Sequence, residues 1–580
     1  SLGDRGLDGP QPRPPLHGQV PARYYPAKFH LHSCFENAAS MGGHCFQAKR
    51  LGVDVVWITD HDTRICWKQD LAFWGANFEG QQLASLEDKK GRFDGWRVAV
   101  LDDGVQGAAE LAKGVSLSGK QSMRVWARSG PTREEWGSLR VDLCTKGKRH
   151  QRSLMTGVDI GLALRPERGF GFGENGRLRI LVGLSQQPPN LDEESITYVI
   201  GEPGEDERLV SLGDLNTGEW NTLHLDLTED ARKHTKGGID NVFGGLSLSL
   251  DSRRGELVEL YVDDFHLHQV HNCQTAYDRQ KELASELSNR YGVTVYAGTE
   301  MSAFGPHKNV FGSWVPILDR NAKPEGYPEA GAIAHVKSYG GAISLNHPFS
   351  KWKSEVLTEE NMEQVVRGLI ESYKESRCRG ADLIEVGFPE GRHGFHLKDY
   401  LKLWDGLSCA GIAIAGIGVS DAHNNRSGWE SGNNFANWIR SETIEERDLV
   451  RGLLSGDIYM GDPTLFRGEL EFMTAEGHRM GQIIVGKEHS EVLFRMTGCR
   501  PGWKAHWIVD GVREKALDVC DEKFEFQGAV SPQDFSFTRF EVYDEGAKCV
   551  LLTNPIYFAK RRSAEFPPHK VSAKRRNTFS

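Results

Sequence analysis

Histidines and carboxylates gather at the ends of apolar runs in this sequence, and that pattern is the one most capable of chemistry. Lys28–Ser33 reads as a short strand that ends in His30 and His32. Spacing two puts both imidazoles on one side of an extended strand. Asp54–Thr59, with Val55, Val56, Trp57 and Ile58, reads as a buried strand leading into Asp60-His61-Asp62. A strand at Val293–Ala297 is followed by Glu300 and then His307. Ala342–Leu345 leads into Asn346-His347-Pro348, and Ile412–Gly416 leads towards Ser420-Asp421-Ala422-His423. Neutral imidazole is a common ligand for zinc and related ions. Charged groups that directly follow apolar strands must be paired, solvated or metal-bound. An acid beside His61 is also suited to orienting its ring from behind.

The elements that must position these residues read as alternating strands and helices. Helices are expected at Ala38–Leu51, Gln274–Arg290, Glu329–Tyr339, Glu359–Ser376, Lys398–Ser408 and Glu446–Ser455, with a further strand at Asp382–Val386. Alternation of this kind implies α/β architecture, here a distorted TIM-like (β/α)7 barrel. Barrel strands of that type bring their carboxyl ends to one face, where active sites are built. The barrel is expected in two pieces, residues 24–66 and 270–460. Between them, residues 67–269 carry short alternating strands separated by Gly, Asn and Asp turns, which predict an inserted β jelly roll. Residues 461–562 predict a C-terminal β-sandwich. Residues 1–23 read as a leader or linker and 563–580 as a basic tail.

Composition bounds the function. A 580-residue chain with 39% apolar and 26% charged residues is an ordinary globular composition, too long for one core. A net charge of −10 argues against broad binding to nucleic acid. No apolar run predicts a membrane span. The ten cysteines form no CxxC pair, so a zinc site built on that motif is not expected. Cys34, Cys66, Cys378 and Cys409 read as buried thiols. The chain starts at Ser1 with a Pro/Gly-rich stretch, and a secreted or periplasmic location is preferred to a cytoplasmic one. His266-Leu267-His268 repeats the spacing-two pattern inside the insertion, where the bland reading is a structural strand pair. His44 and His335 fall in expected helices and read as structural. The aromatic residues Trp126, Trp136, Phe170, Phe172 and Trp220 of the insertion read as core before sugar platforms.

HLHS at 30–33, TDHD at 59–62, NHP at 346–348 and SDAH at 420–423, in this order, resemble the motif set of the PHP (polymerase and histidinol phosphatase) superfamily. FHLHS with the later TDHD and the closing LTNPIYF at 552–558 resemble its CehA/McbA-like branch. The resemblance implies two or three divalent ions (zinc, manganese or iron) held by His30, His32, His61, Glu300, His307, His347, Asp421 and His423. It also implies an acidic ligand after HxH, for which Glu36 is the choice and Asn37 the fallback, because the run Ser33-Cys34-Phe35-Glu36-Asn37 departs from the family's usual turn.

The chemistry expected of such a cluster is hydrolysis by a metal-bound hydroxide, with Asp60 and His61 assisting and the ions steadying charge on a phosphoryl oxygen. Arg64, Arg392 and His393 are candidate contacts for an anionic substrate. Glu385, in the strand Asp382–Val386, is a candidate polar group at the barrel mouth. A phosphomono- or phosphodiester, with sugar- or glycolipid-linked esters included, is the first-choice substrate. Carboxyl-ester or carbamate hydrolysis on the same site is one alternative. A non-catalytic glycan-binding protein is the other, with carbohydrate as partner.

Overall fold

The structure, a computed structural model, describes residues 22–36, 39–66, 78–79, 82–84, 95–144, 152–168, 175–185, 194–201, 209–269, 272–302, 306–319, 328–350, 358–391, 394–430 and 434–572. Its centre is a closed ring of seven strands: β1 (Arg23–Leu31), β2 (Val55–His61), β3 (Thr294–Met301), β4 (Lys308–Phe311), β5 (Ala342–Leu345), β6 (Leu383–Gly387) and β7 (Ala415–Ala422). The hydrogen-bonded order is β2-β3-β4-β5-β6-β7-β1, closed by the pairing of β1 with β2. Outside the ring lie α1 (Met41–Leu51), α2 (Asp62–Ile65), α3 (Cys273–Tyr291), α4 (Glu329–Ser338), α5 (Glu359–Glu375), α6 (Leu397–Cys409) and α7 (Glu446–Ser455).

The expected TIM-like (β/α)7 barrel is not what forms. Strand outweighs helix, 44% to 23%. The ring also breaks the β/α alternation: β4 follows β3 and pairs with it antiparallel, and it runs antiparallel to β5 as well. Close approach makes that hairpin, since a Cβ on Gly298 would lie 2.4 Å from the Val310 carbonyl oxygen. A four-residue strand is too short to show a period in sequence, so nothing in residues 308–311 announces it.

The ring interior is packed. Phe29 of β1 meets Phe311 of β4 at 5.0 Å between ring centres, and Trp57 of β2 meets Phe311 at 5.2 Å, edge to face. β1 and β4 are not neighbours in the ring, so these contacts cross it and form an aromatic floor. Two helices show why their segments form where they do. α1 is opened by Ser40, whose hydroxyl accepts from the Gly43 N–H, and closed by left-handed Gly52. α3 is opened by Asn272 and closed by Gly292, and it buries Ala276, Tyr277, Gln280, Leu283, Ala284 and Leu287 on one face.

The insertion between β2 and β3 is a β-sandwich, as the turn-rich pattern predicts. One five-stranded sheet holds Asn221–Asp226, Val158–Arg168, Leu257–Gln269, Gln121–Arg128 and Gln106–Lys113. The facing sheet is built around Gly176–Ser185, Val242–Ser252 and Gly137–Cys144. It docks on the ring through Asp240, which accepts from the N–H groups of Met41 and Gly42 at 2.8 and 2.7 Å, at the start of α1.

The C-terminal β region is less separate than an appended sandwich. Ala436–Ser441 pairs antiparallel with the first half of β1, Ile458–Gly461 pairs with that strand, and the sheet runs on through Cys549–Thr553, Phe535–Tyr543 and Lys504–Val509. Arg539 fastens it to α6. Its guanidinium is buried and donates to both carboxylate oxygens of Asp405, at 2.8 and 2.7 Å, while pairing with Glu541 at 2.7 Å. Removing one partner of a buried ionic group leaves the others uncompensated. Arg539→Ala is therefore expected to lower stability by about 3–5 kcal/mol in denaturant unfolding.

Candidate metal centre

Three of the residues that ring the mouth have an unusual backbone. His30, His347 and Asp421 have φ of 54°, 25° and 49°. Left-handed conformations at non-glycine residues cost free energy and persist where surrounding structure imposes them. At His30 the pairing of β1 slips against both neighbours, between Lys28 and Leu31 on the β2 side and between Phe29 and Leu31 on the β7 side. Simple strand alternation therefore does not aim His30 and His32. A bulge does, and it brings their rings to 5.2 Å.

The centre is organised around Glu300, near the carboxyl end of β3 and level with His61 across the β2–β3 pairing. Its carboxylate is fully buried. Around it lie His61 Nδ1 at 2.8 Å, His307 Nδ1 at 3.0 Å, His347 Nε2 at 3.2 Å, His30 Nε2 at 3.4 Å and His32 Nε2 at 3.6 Å. Asp421 supplies a second carboxylate, 3.1 Å from His32 Nε2 and 3.3 Å from His30 Nε2. His423 stacks on His32 with ring centres 4.1 Å apart. Glu36, on the turn Cys34–Glu36, faces the same space and pairs with Arg64 at 3.4 Å.

Electrostatics favours a cation here. Burial works against ionising His30, yet Glu385, Glu300 and Asp421 together hold its pKa well above the imidazole range. Burial likewise opposes the Glu300 carboxylate, and His30, His307 and His347 pull its pKa well below the ordinary value. His61 is raised to about 9; burial opposes this and Glu300 overcomes it. His32 is driven down to about 3 by burial, so it already has the neutral form that binds metals. Without metal, the acids draw protons onto their histidine neighbours. His30 Nε2, Glu36 Oε1 and Glu300 Oε2 are buried without a hydrogen bond of good geometry. Four overlapping triads each place their donor atoms within 4.8 Å of one another: His32/His61/His423, His30/His32/Glu300, His30/His347/Asp421 and His61/Glu300/His307. The imidazole and carboxylate donor set fits a cluster of zinc, manganese or iron ions.

The surroundings orient these donors. Glu385 Oε1 lies 2.5 Å from His30 Nδ1 and, being acceptor-only, fixes the hydrogen there, so Nε2 turns to the centre. The other Glu385 oxygen accepts the His347 backbone N–H, holding that strained residue. Asn346 donates to Glu300 at 2.9 Å and accepts from the Asn309 N–H. Asp60 does not face the open space. Its oxygens accept from the Ser33 N–H at 2.7 Å, the Ser33 hydroxyl at 2.6 Å and Gln280 Nε2 at 2.5 Å, so it holds the turn after His32. His44 is buried between the His32 carbonyl and the Trp429 indole N–H, each at 2.9 Å.

The structure thus brings together His30, His32, Glu36, His61, Glu300, His307, His347, Asp421 and His423. Arg64 sits at the rim with 42% of its side chain exposed. Asn37, Arg392, His393, Phe170 and Phe172 lie outside the described residues. Sequence reasoning missed Asn309 and Gln280. Asn309 lies in the unforeseen strand β4, and Gln280 reads as one polar residue on an amphipathic helix. Beside His307 and His347 opens a cleft of about 840 Å3, also lined by Ser350, Asn361, Gln364 and Arg379.

No family model matches the chain, and no curated protein matches it. Similar solved structures include carbohydrate-binding modules. One is described as a study of promiscuous specificity in carbohydrate-binding modules of the β-sandwich superfamily (13% identity, 32% of this chain, TM-score 0.20), and the chain spans 60% of that structure's length. Another is a family 11 module from Clostridium thermocellum in complex with a mixed-linked tetrasaccharide (12% identity, 30% of this chain and 90% of that one, TM-score 0.20). A third is a family 30 module of a cellulosomal cellulase of Clostridium thermocellum (13% identity, 36% and 97%, TM-score 0.21).

Ligand binding to the folded state alone raises stability by mass action. Chelator treatment of metal-loaded protein is expected to lower the melting temperature, and added zinc or manganese to restore it. Glu300→Gln should shrink both responses in differential scanning calorimetry.

Proposed function

We propose that this chain is a metal-dependent hydrolase of ester bonds, with phosphoesters as the preferred substrates. The observation that carries this reading is the convergence of six histidines and three carboxylates from separate segments at one ring mouth, around buried Glu300, beside an open cleft. A structural role alone gives no reason to collect so many costly buried groups in one place. When bound, divalent ions supply Lewis-acid polarisation of an ester oxygen and a nucleophile drawn from water near neutral pH.

The chain's own residues do the positioning. Glu385 and Asp60 hold the His30–Ser33 turn from two sides. His61, His307 and His423 have partly exposed side chains (17%, 34% and 39%) and form the rim a substrate meets. Arg64, paired with Glu36, stands where an anionic group would approach. Carboxyl-ester or carbamate cleavage uses the same arrangement without needing that cation. A panel of phosphodiesters, phosphomonoesters and aryl carbamates, with zinc or manganese added, separates these readings. Phosphoester turnover is expected to fall at least 100-fold in His61→Ala and Asp421→Ala. Undiminished turnover in metal-stripped protein would refute the proposal, and activity on carbamates alone would replace the substrate class.

A second reading concerns the insertion. The outer face of its five-stranded sheet carries Trp126 and Tyr261 among Arg124, Arg165 and Glu259, all half-buried. Aromatic faces among polar side chains suit sugar rings. Affinity electrophoresis in soluble glucans tests it: retardation is expected for the intact chain and reduced retardation for Trp126→Ala. Equal mobility with and without glucan would remove this reading and leave the metal centre's untouched.

A further inference from the structure

A separate group of metal-binding side chains assembles where the insertion leaves and rejoins the ring. Cys66 directly follows α2, before the sandwich begins. Cys273 opens α3, immediately after the sandwich ends. Asp319 comes from the segment after β4. The two sulfurs and a carboxylate oxygen of Asp319 lie within 4.8 Å of one another. Both cysteines are buried, with 4% and 3% of their surface exposed. The Leu318 carbonyl oxygen lies 3.9 Å from Cys66 Sγ, so the segment carrying Asp319 wraps the sulfur.

The chemistry of this group calls for a cation. The Cys273 thiol, burial, Asp62 and Asp319 all raise the pKa of the Cys66 thiol, because a thiolate there would face other negative or electron-rich groups. Cys273 lies in the first turn of a nineteen-residue helix, which holds its sulfur in place beside Cys66. Two soft sulfurs and one carboxylate are donors that zinc accepts, at about 2.3 Å for sulfur and about 2.0–2.2 Å for oxygen. Donors already this close need only small side-chain rotations to share one ion.

We propose that Cys66, Cys273 and Asp319 form a structural site for a zinc-type divalent cation, distinct from the centre around Glu300. Binding releases the two thiol protons to solvent and involves no oxidation. The bound ion ties the chain's exit from the ring to its return, and so fixes the sandwich on the side of the mouth that α1 and α2 border.

Cobalt is the probe, because thiolate-to-cobalt charge transfer in the near ultraviolet marks sulfur ligands and is absent from imidazole and carboxylate sites. Added to reduced, metal-stripped full-length protein, Co2+ is expected to produce that band. The band should vanish in Cys66→Ser and Cys273→Ser and persist in Glu300→Gln. In Asp319→Asn, which keeps both sulfurs, the titration midpoint should move at least tenfold to higher cobalt. This last variant decides the matter if the serine variants do not fold. No band in the reduced wild-type protein overturns the proposal. So does an unmoved midpoint in Asp319→Asn, or peptide mapping that finds Cys66 and Cys273 joined as a disulfide.

Discussion

A carboxylate with no access to water must be surrounded by positive charge or by hydrogen-bond donors, and at Glu300 the rest of the mouth is arranged around that requirement. Five imidazoles stand within 3.6 Å of its oxygens. They come from β1 and the turn after it, from the end of β2, and from the segments before β4 and after β5. Each segment must end at the same height, so the lengths and registers of the ring strands are constrained by one side chain. Protons on the rings or divalent ions between them both meet the requirement, which makes metal affinity and pH linked properties of this centre.

The same constraint accounts for the backbone. Regular strands would point successive side chains to opposite faces of the ring wall. Bulged pairing at His30 and left-handed φ at His30, His347 and Asp421 turn these side chains into the mouth instead. The strain is held by buried polar groups behind the mouth. Glu385 grips the His30 ring and the His347 amide, and Asp60 with Gln280 grips Ser33. Below them the aromatic contacts of Phe29, Trp57 and Phe311 close the ring interior, so the mouth is a shallow site on a packed floor rather than a channel.

The two β regions are joined to the ring in different ways. The C-terminal strands continue the ring's own hydrogen-bonded sheet from β1 outward and are fastened by buried Arg539. Among the described residues the insertion pairs no strand with the ring; it docks at α1, where Asp240 meets two backbone amides, and its Leu154 and Met155 belong to one apolar core with Met41 of α1 and Ala276 of α3. Continuous pairing joins the C-terminal region to the ring through backbone hydrogen bonds, whereas the insertion is seated by side-chain packing and local hydrogen bonds.

Residue types and order marked most of the histidines and acids that meet at the mouth, since such groups after short apolar runs are legible without coordinates; the choice of Glu36 came from the motif resemblance alone. They also pointed to a β-rich segment between the second and third ring strands, through the change from helical to alternating periodicity. Long helices such as α3 and α5 were legible to within about two residues, because caps and apolar spacing are local signals. Three things were decided only in three dimensions. The antiparallel strand β4 and its hairpin replaced the expected β/α alternation, because four residues carry no period and hydrogen-bond direction is a pairwise property. The supporting roles of Asp60, Gln280, Asn309 and Glu385 arose from contacts between distant segments. The meeting of Cys66 with Cys273 had no local motif to announce it, since only closure of the ring brings the two ends of the insertion together.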